Sequence, residues 1–144
     1  LVRLAQEAGF KACLSGNDFK APHRASLEVI QKGLLELGII KDKADARKYF
    51  PHGTSHNLGL DVHDTGDNDS LKAGQIITVE PGIYIPAGSS CDPKWWKIGI
   101  RIEDDVLITE NEPVIMSGKL PADRSAIENR MKIAKSVRNA EKSK

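Results

Sequence analysis

Cysteine is scarce in this chain, aromatic residues make up only 5% of it, and no long apolar run occurs. The two cysteines of the 144 residues, Cys13 and Cys91, lie far apart and form no CxxC. That usage argues against a disulfide scaffold and against a cysteine-rich zinc site. It fits a reducing compartment, taken as the cytoplasm. No stretch approaches the ~20 apolar residues that a membrane-spanning helix needs, so no membrane partner is expected. An excess of one charge is also missing. Lys and Arg number 21 against 20 Asp and Glu, a net of +1, which gives no reason to expect nucleic acid as a partner. What remains, 40% apolar and 28% charged, is the composition of one ordinary globular domain.

The first residues, LVRLAQEAGF, carry Leu1, Leu4, Ala5 and Ala8 at helical spacing with no cap before them. With Leu rather than Met at position 1, this start is expected to be a cut within a longer chain. A second helix is expected from Asn17 or Asp18 as cap to Gly38 as terminator, with Pro22 in its first turn. Its apolar positions include Leu27, Ile30, Leu34 and Leu37. Residues 41–48 predict a polar loop or short helical turn. Short β-prone runs then follow at 76–80, 83–85, 98–102 and 106–109, with a turn expected over 66–70. A loop over 86–96 is expected to be closed by its two tryptophans. The tail, 122–144, holds seven Lys and Arg against three Asp and Glu. Its Ile127, Met131, Ala134 and Val137 share one helical face, predicting a terminal helix that docks this stripe and solvates the rest.

Reactive side chains concentrate in HGTSHNLGLDVHD, residues 52–64. Three of the four histidines, His52, His56 and His63, fall within twelve residues there. Imidazole is the commonest neutral metal ligand and proton carrier near pH 7, so three together among glycines mark a site. His52 and His56 have the i, i+4 spacing of a zinc-protease helix, but that chemistry needs Glu after the first His, and Gly53 stands there. The segment therefore predicts an extended strand and turn. In IGIRIED, strand alternation puts Ile98, Ile100 and Ile102 on one face and Gly99, Arg101 and Glu103 on the other. Glu80 closes another β-prone run just before Pro81 and Gly82. His56, Glu80 and Glu103 together are one imidazole and two carboxylates, a donor set suited to zinc, manganese or related divalent ions.

HGTSHNLGLDVHDTG, TVEPGIYIP and GIRIEDDVLIT, in that order, closely resemble the catalytic domain of the Xaa-Pro aminopeptidase (aminopeptidase P) family. That family belongs with prolidase, methionine aminopeptidase and creatinase among the pita-bread metallopeptidases. The resemblance runs from about residue 1 to the helix near residue 133. It implies an α+β fold, the second half of a pita-bread domain, with a curved antiparallel sheet and helices on its outer face. It implies two divalent metal ions, manganese foremost with cobalt or zinc as alternatives, and a metal-bound hydroxide that cleaves a peptide with proline in second position. By the same resemblance His56 is a metal ligand, Glu80 a ligand that also shuttles protons, and Glu103 a bridging ligand. His63 contacts the substrate, His52 lines the pocket, Arg101 braces the carboxylates, and Tyr84 supports the site. Asn57 departs from the large aromatic residue common there.

The family's two aspartate ligands lie on a hairpin upstream of the helix that opens this chain, and no residue here matches them. The 144 residues are thus expected to be the C-terminal portion of a metallopeptidase catalytic domain, with 122–144 as terminal helix and basic tail. Alone they are expected to be metal-poor and inactive, with exposed apolar surface that favours a homo-oligomer. Two alternatives stand beside the aminopeptidase: prolidase, in which Leu-Gly is usual where this chain has Thr54 and Ser55, and a non-catalytic pita-bread binding module. Retention of His56, His63, Glu80 and Glu103 argues against the second.

Overall fold

The computed structural model describes residues 1–66 and 68–142. Position 67 of the turn expected over 66–70, the last two residues of the tail and the side chain of Val137 lie outside that description. Two helices come first, α1 (Val2–Ala12) and α2 (Ala21–Glu36). Then follow strands β1 (Ile76–Val79), β2 (Gly82–Ile85), β3 (Ile98–Arg101), β4 (Asp104–Leu107) and β5 (Val114–Ile115), and a last helix α3 (Arg124–Lys142). A 3-10 helix at Lys43–Lys48, capped by the Asp42 carboxylate, fills the predicted polar turn.

α1 buries Val2, Ala5, Gln6, Gly9 and Phe10, a spacing that keeps one face inward. α2 buries Pro22, Ser26, Ile30, Gly33 and Leu34 against it, and the Ser26 hydroxyl donates to the Ala5 carbonyl at 2.9 Å. Leu37, expected in the core, is 44% exposed: it is the C-cap residue beyond the last turn of α2 and borders an open apolar cavity. Gly38 ends the helix as predicted. Its φ of +67° allows the Ile39 N–H to reach the Leu34 carbonyl while its own N–H reaches that of Leu35. The start of α2 differs from expectation. Lys20 is the cap residue, and no side chain caps it. Asp18 instead accepts from the Lys20 N–H one turn early, and Asn17 donates back to Ala12 at the end of α1.

The strands form two antiparallel ladders, β1-β4-β5 and β2-β3. Ile76↔Leu107 through Val79↔Asp104 pair in the first, and Gly82↔Arg101 through Ile85↔Ile98 in the second. Both ladders keep one register. The two positions between them therefore set Glu80 opposite Glu103 and Pro81 opposite Ile102. Pro81 has no N–H to donate, and the regular pairing lapses there. β4 begins at Asp104 rather than at the expected Val106, since the register carries two acids into the ladder. β5 was not foreseen; two residues are too short for a periodic signal.

Alternation is unbroken across the gap. Ile77, Val79, Ile83 and Ile85, with Ile98, Ile102 and Val106 opposite, pack into two core clusters shared with the helices. Thr78, Glu80, Tyr84, Arg101 and Glu103 take the other face. Asp104 falls on the helix side and is met there by Gln6, whose amide donates to Asp104 at 3.0 Å and to the Val79 carbonyl at 3.2 Å. The Ser117 hydroxyl also donates to Asp104. Trp95 and Trp96 pack on the core edge as expected, and Trp96 Nε1 donates to the Ser89 carbonyl at 3.0 Å.

The docked terminal stripe is a correction. Ile127 is 40% exposed and Met131 67%, so only the start of α3 touches the body and the rest projects outward. The helix is held by its own local contacts, such as Asp123 accepting from Ser125 and Ala126 at its start.

Two outcomes follow from this packing. Gln6→Ala removes the donor that ties α1 to β1 and β4 and should cost about 1–3 kcal/mol, read by urea unfolding. Burial pushes the Cys13 thiol up to about 12. A thiol reagent should therefore label Cys91 in the folded chain and Cys13 only after denaturation.

Candidate active site

Residues 54–58 run antiparallel along the free edge of β1. The Leu58 N–H donates to Ile76, that of Thr78 to His56, and that of Glu80 to Thr54, at 3.2, 3.0 and 2.8 Å. This is the extended segment expected for the histidine motif, and it sets His56 beside Thr78 and Glu80 on the face away from the helices. The Glu80 carboxylate thus has a histidine from one neighbouring strand and Glu103 from the other. One donor atom each of His56, Glu80 and Glu103 lies within 4.8 Å of the others. Three residues separated by up to 47 positions meet because the ladder puts them there.

The ring of His56 is oriented for ligation. In the neutral ring its Nδ1–H donates to the Asn57 carbonyl at 3.0 Å, which leaves Nε2 facing Glu80 Oε1 at 3.3 Å. Arg101 reaches both acids, with Nη1 at 3.3 Å from Glu80 and in close contact with Glu103. Hydrogen bonding to Glu103 and the charges of both acids raise the Arg101 pKa. The expected bracing role is thus geometrically available. Two carboxylates against one guanidinium still leave a net negative charge, and an imidazole nitrogen is aimed at it. These residues fit a divalent cation.

A cleft of about 440 Å³ opens over the cluster, lined by His52, His56, His63, Glu80, Tyr84 and Arg101 among others. His63 stands perpendicular to His56, ring centres 4.5 Å apart. In its neutral form His52 donates through Nδ1–H to the Gly53 carbonyl at 2.7 Å and accepts the Tyr84 hydroxyl at Nε2, 2.9 Å away. Tyr84 lies flat over Gly82, where a Cβ would come within 2.6 Å of its hydroxyl. Asn57 is buried in a polar clasp, donating to Asn68 at 2.9 Å and accepting from Gln75 at 2.6 Å. Of the residues singled out from the sequence, His52, His56, His63, Glu80, Tyr84 and Arg101 line the cleft, Glu103 joins through the donor cluster, and Asn57 lies outside the lining.

One histidine went unmarked in the sequence. His23, in the first turn of α2, shares a 2.9 Å hydrogen bond with the Thr54 hydroxyl, and Thr54 is the residue whose carbonyl holds the Glu80 N–H. Its ring tilts on Phe50, which in turn meets His52 edge-on. A lone histidine near a helix start carries no periodic or motif signal that distinguishes this role.

The pattern is that of a metallopeptidase. The family model of metallopeptidase family M24 matches residues 1–110, and the chain belongs to that family. It is 41% identical over 132 residues to Xaa-Pro aminopeptidase 3 of Rattus norvegicus, covering 85% of this chain and 26% of that protein. To the Xaa-Pro aminopeptidase of Haemophilus influenzae it is 36% identical over 143 residues, 91% of this chain and 33% of that one. Among solved structures, the Pseudomonas aeruginosa aminopeptidase PepP superposes with a TM-score of 0.87 at 36% identity, over 94% of this chain and 34% of its own. Zinc-substituted Escherichia coli aminopeptidase P in complex with product gives 0.85 at 33% identity, over 92% and 33%. The fold is accordingly that of the aminopeptidase P pita-bread domain, as an α+β portion of it. The chain spans about a quarter to a third of the length of these relatives.

Burial lowers the His23 pKa below its ordinary 6.5, helped by the charges of Arg47, His52 and Arg24. Between that lowered value and 6.5 the unfolded chain binds more protons, so stability is full above 6.5 and declines as pH falls through the window. Urea midpoints should drop between pH 7.5 and 5.5. His23→Gln should flatten part of that slope.

Proposed function

We propose that this chain supplies the His56, Glu80 and Glu103 side of a dinuclear metal centre in an enzyme that removes the N-terminal residue ahead of proline. The observation that carries it is the convergence of these three donors on one face of a continuous strand register, with His63 and His52 bordering the same cleft. The names of the relatives, Xaa-Pro aminopeptidases of mammals and bacteria, support the substrate class.

In this reading His56 through Nε2, Glu80 and Glu103 would hold the divalent ions, with Glu103 as the ligand shared between them. Such a pair, manganese in our reading, would supply a Lewis acid for the peptide carbonyl and lower the pKa of water towards neutrality. Glu80 lies between His56 and Glu103 and borders the cleft, its side chain 17% exposed, so its carboxylate can accept the proton of the attacking water and return it to the leaving nitrogen. That nitrogen is the secondary amine of the proline ring and must collect a proton to depart. His63 donates to the carbonyl oxygen as charge develops on it. Arg101 holds Glu80 and Glu103 at a fixed separation, and His52, tied to Gly53 and Tyr84, forms the wall beside the proline ring.

One imidazole and two carboxylates are too few donors for two ions. We therefore propose that the 144 residues by themselves are inactive and that two aspartates from outside them complete the centre. The two free cysteines suit a reducing compartment, the cytoplasm in our reading.

In the full-length enzyme, Glu103→Ala should lower kcat/KM by more than about 100-fold, beyond the usual cost of losing a mere supporting residue. Far-UV circular dichroism should be unchanged. Retained turnover would contradict a bridging ligand. The purified 144 residues with added manganese should leave an Xaa-Pro tripeptide intact, and cleavage would overturn the proposed need for outside ligands.

A further inference from the structure

Behind His52 lies a second cavity of about 290 Å³. It shares His52 and Gly53 with the cleft over the cluster, so the two are neighbouring chambers with a common wall. Phe50 and Pro51 form part of its lining, and Phe50 is 2% exposed and fixed edge-on to His52, ring centres 5.1 Å apart. His23 and Arg47 complete the part that matters here.

The charge of this chamber has one sign. Arg47 is exposed and has no carboxylate partner among the described residues; the nearby Asp45 is taken by Lys48 at 2.7 Å. Among the described residues no acidic side chain lines the cavity. The charges felt by His23 come from Arg47, His52 and Arg24, all basic. An unpaired guanidinium beside an aromatic floor, with no anion of the protein's own, is suited to a carboxylate ligand.

An enzyme that removes one residue from an amino terminus holds little substrate on that side of the scissile bond. The rest of the peptide must leave the cleft on the other side, past the wall that His52 forms. We infer that the chamber behind His52 is a subsite for the carboxylate end of a short peptide, with Arg47 as its anchor and Phe50 and Pro51 as its floor. This rests on the aminopeptidase reading above. It adds that a tripeptide with a free carboxyl terminus is favoured over the same peptide blocked as an amide.

The test compares Ala-Pro-Ala with Ala-Pro-Ala amide in the full-length enzyme. The amide should show a KM about two- to fivefold higher, the range expected of a partly exposed charge pair. Arg47→Gln should remove that discrimination, and Arg47→Lys should restore part of it through charge alone. Equal KM values for acid and amide in the unsubstituted enzyme would overturn the inference. So would a discrimination that survives Arg47→Gln. A second measurement is independent of turnover: Pro-Ala and Pro-Ala amide are titrated into the 144 residues, following the Arg47 side-chain N–H and the Phe50 ring by nuclear magnetic resonance. Shifts with the acid alone support the subsite even if no Xaa-Pro bond is ever cut. Equal shifts, or none with either peptide, sink it while leaving the peptidase reading to its own test.

Discussion

A single strand register governs this molecule. β1 with β4 and β2 with β3 belong to the same antiparallel course, interrupted where Pro81 cannot donate a hydrogen bond. Because the register persists through the interruption, Glu80 and Glu103 are held opposite each other at the point where the backbone pairing lapses. Cross-strand neighbours on one face lie roughly 4.5–5.5 Å apart at Cβ, close enough for two carboxylates to share a cation. The 54–58 segment on the outer edge of β1 adds His56 by three backbone hydrogen bonds. None of the three donors depends on a flexible loop for its direction.

The same alternation separates the core from the chemistry. One face presents isoleucines and valines to α1 and α2, and the other presents threonine, acids, tyrosine and arginine. A slip of one residue would send Glu80 and Glu103 into the helices and the isoleucines into the cleft. The core therefore supports the site: burying the apolar face excludes every odd slip, each of which would turn the donors inward. Asp104, the one acid that this register turns inward, has Gln6 and Ser117 as hydrogen-bond donors.

Much of this was legible before any coordinates. The alternation in IGIRIED puts Arg101 and Glu103 on a common face, and Gly53 where a zinc-protease helix needs Glu marks the histidine motif as extended rather than helical. Gly38 ended its helix where expected because left-handed geometry leaves a plain mark in sequence. Other features left no mark. The cap of α2 depends on where the chain turns before the helix, and Asp18 serves that turn instead. The apolar stripe at Ile127 and Met131 is a helical pattern whose docking surface the pattern cannot specify. His23 acts through Thr54, a tertiary pairing across 31 positions that no local rule encodes.

Arg101 has a consequence for the charge of the centre. Its guanidinium lies against both carboxylates, so the chain carries its own counterion there and the repulsion of two adjacent acids is relieved. On Glu80 the guanidinium takes Oε2 and leaves Oε1 to the His56 side, so brace and ligand face use opposite oxygens of one carboxylate. The counterion is thus built into the chain, and one acid serves two neighbours at once.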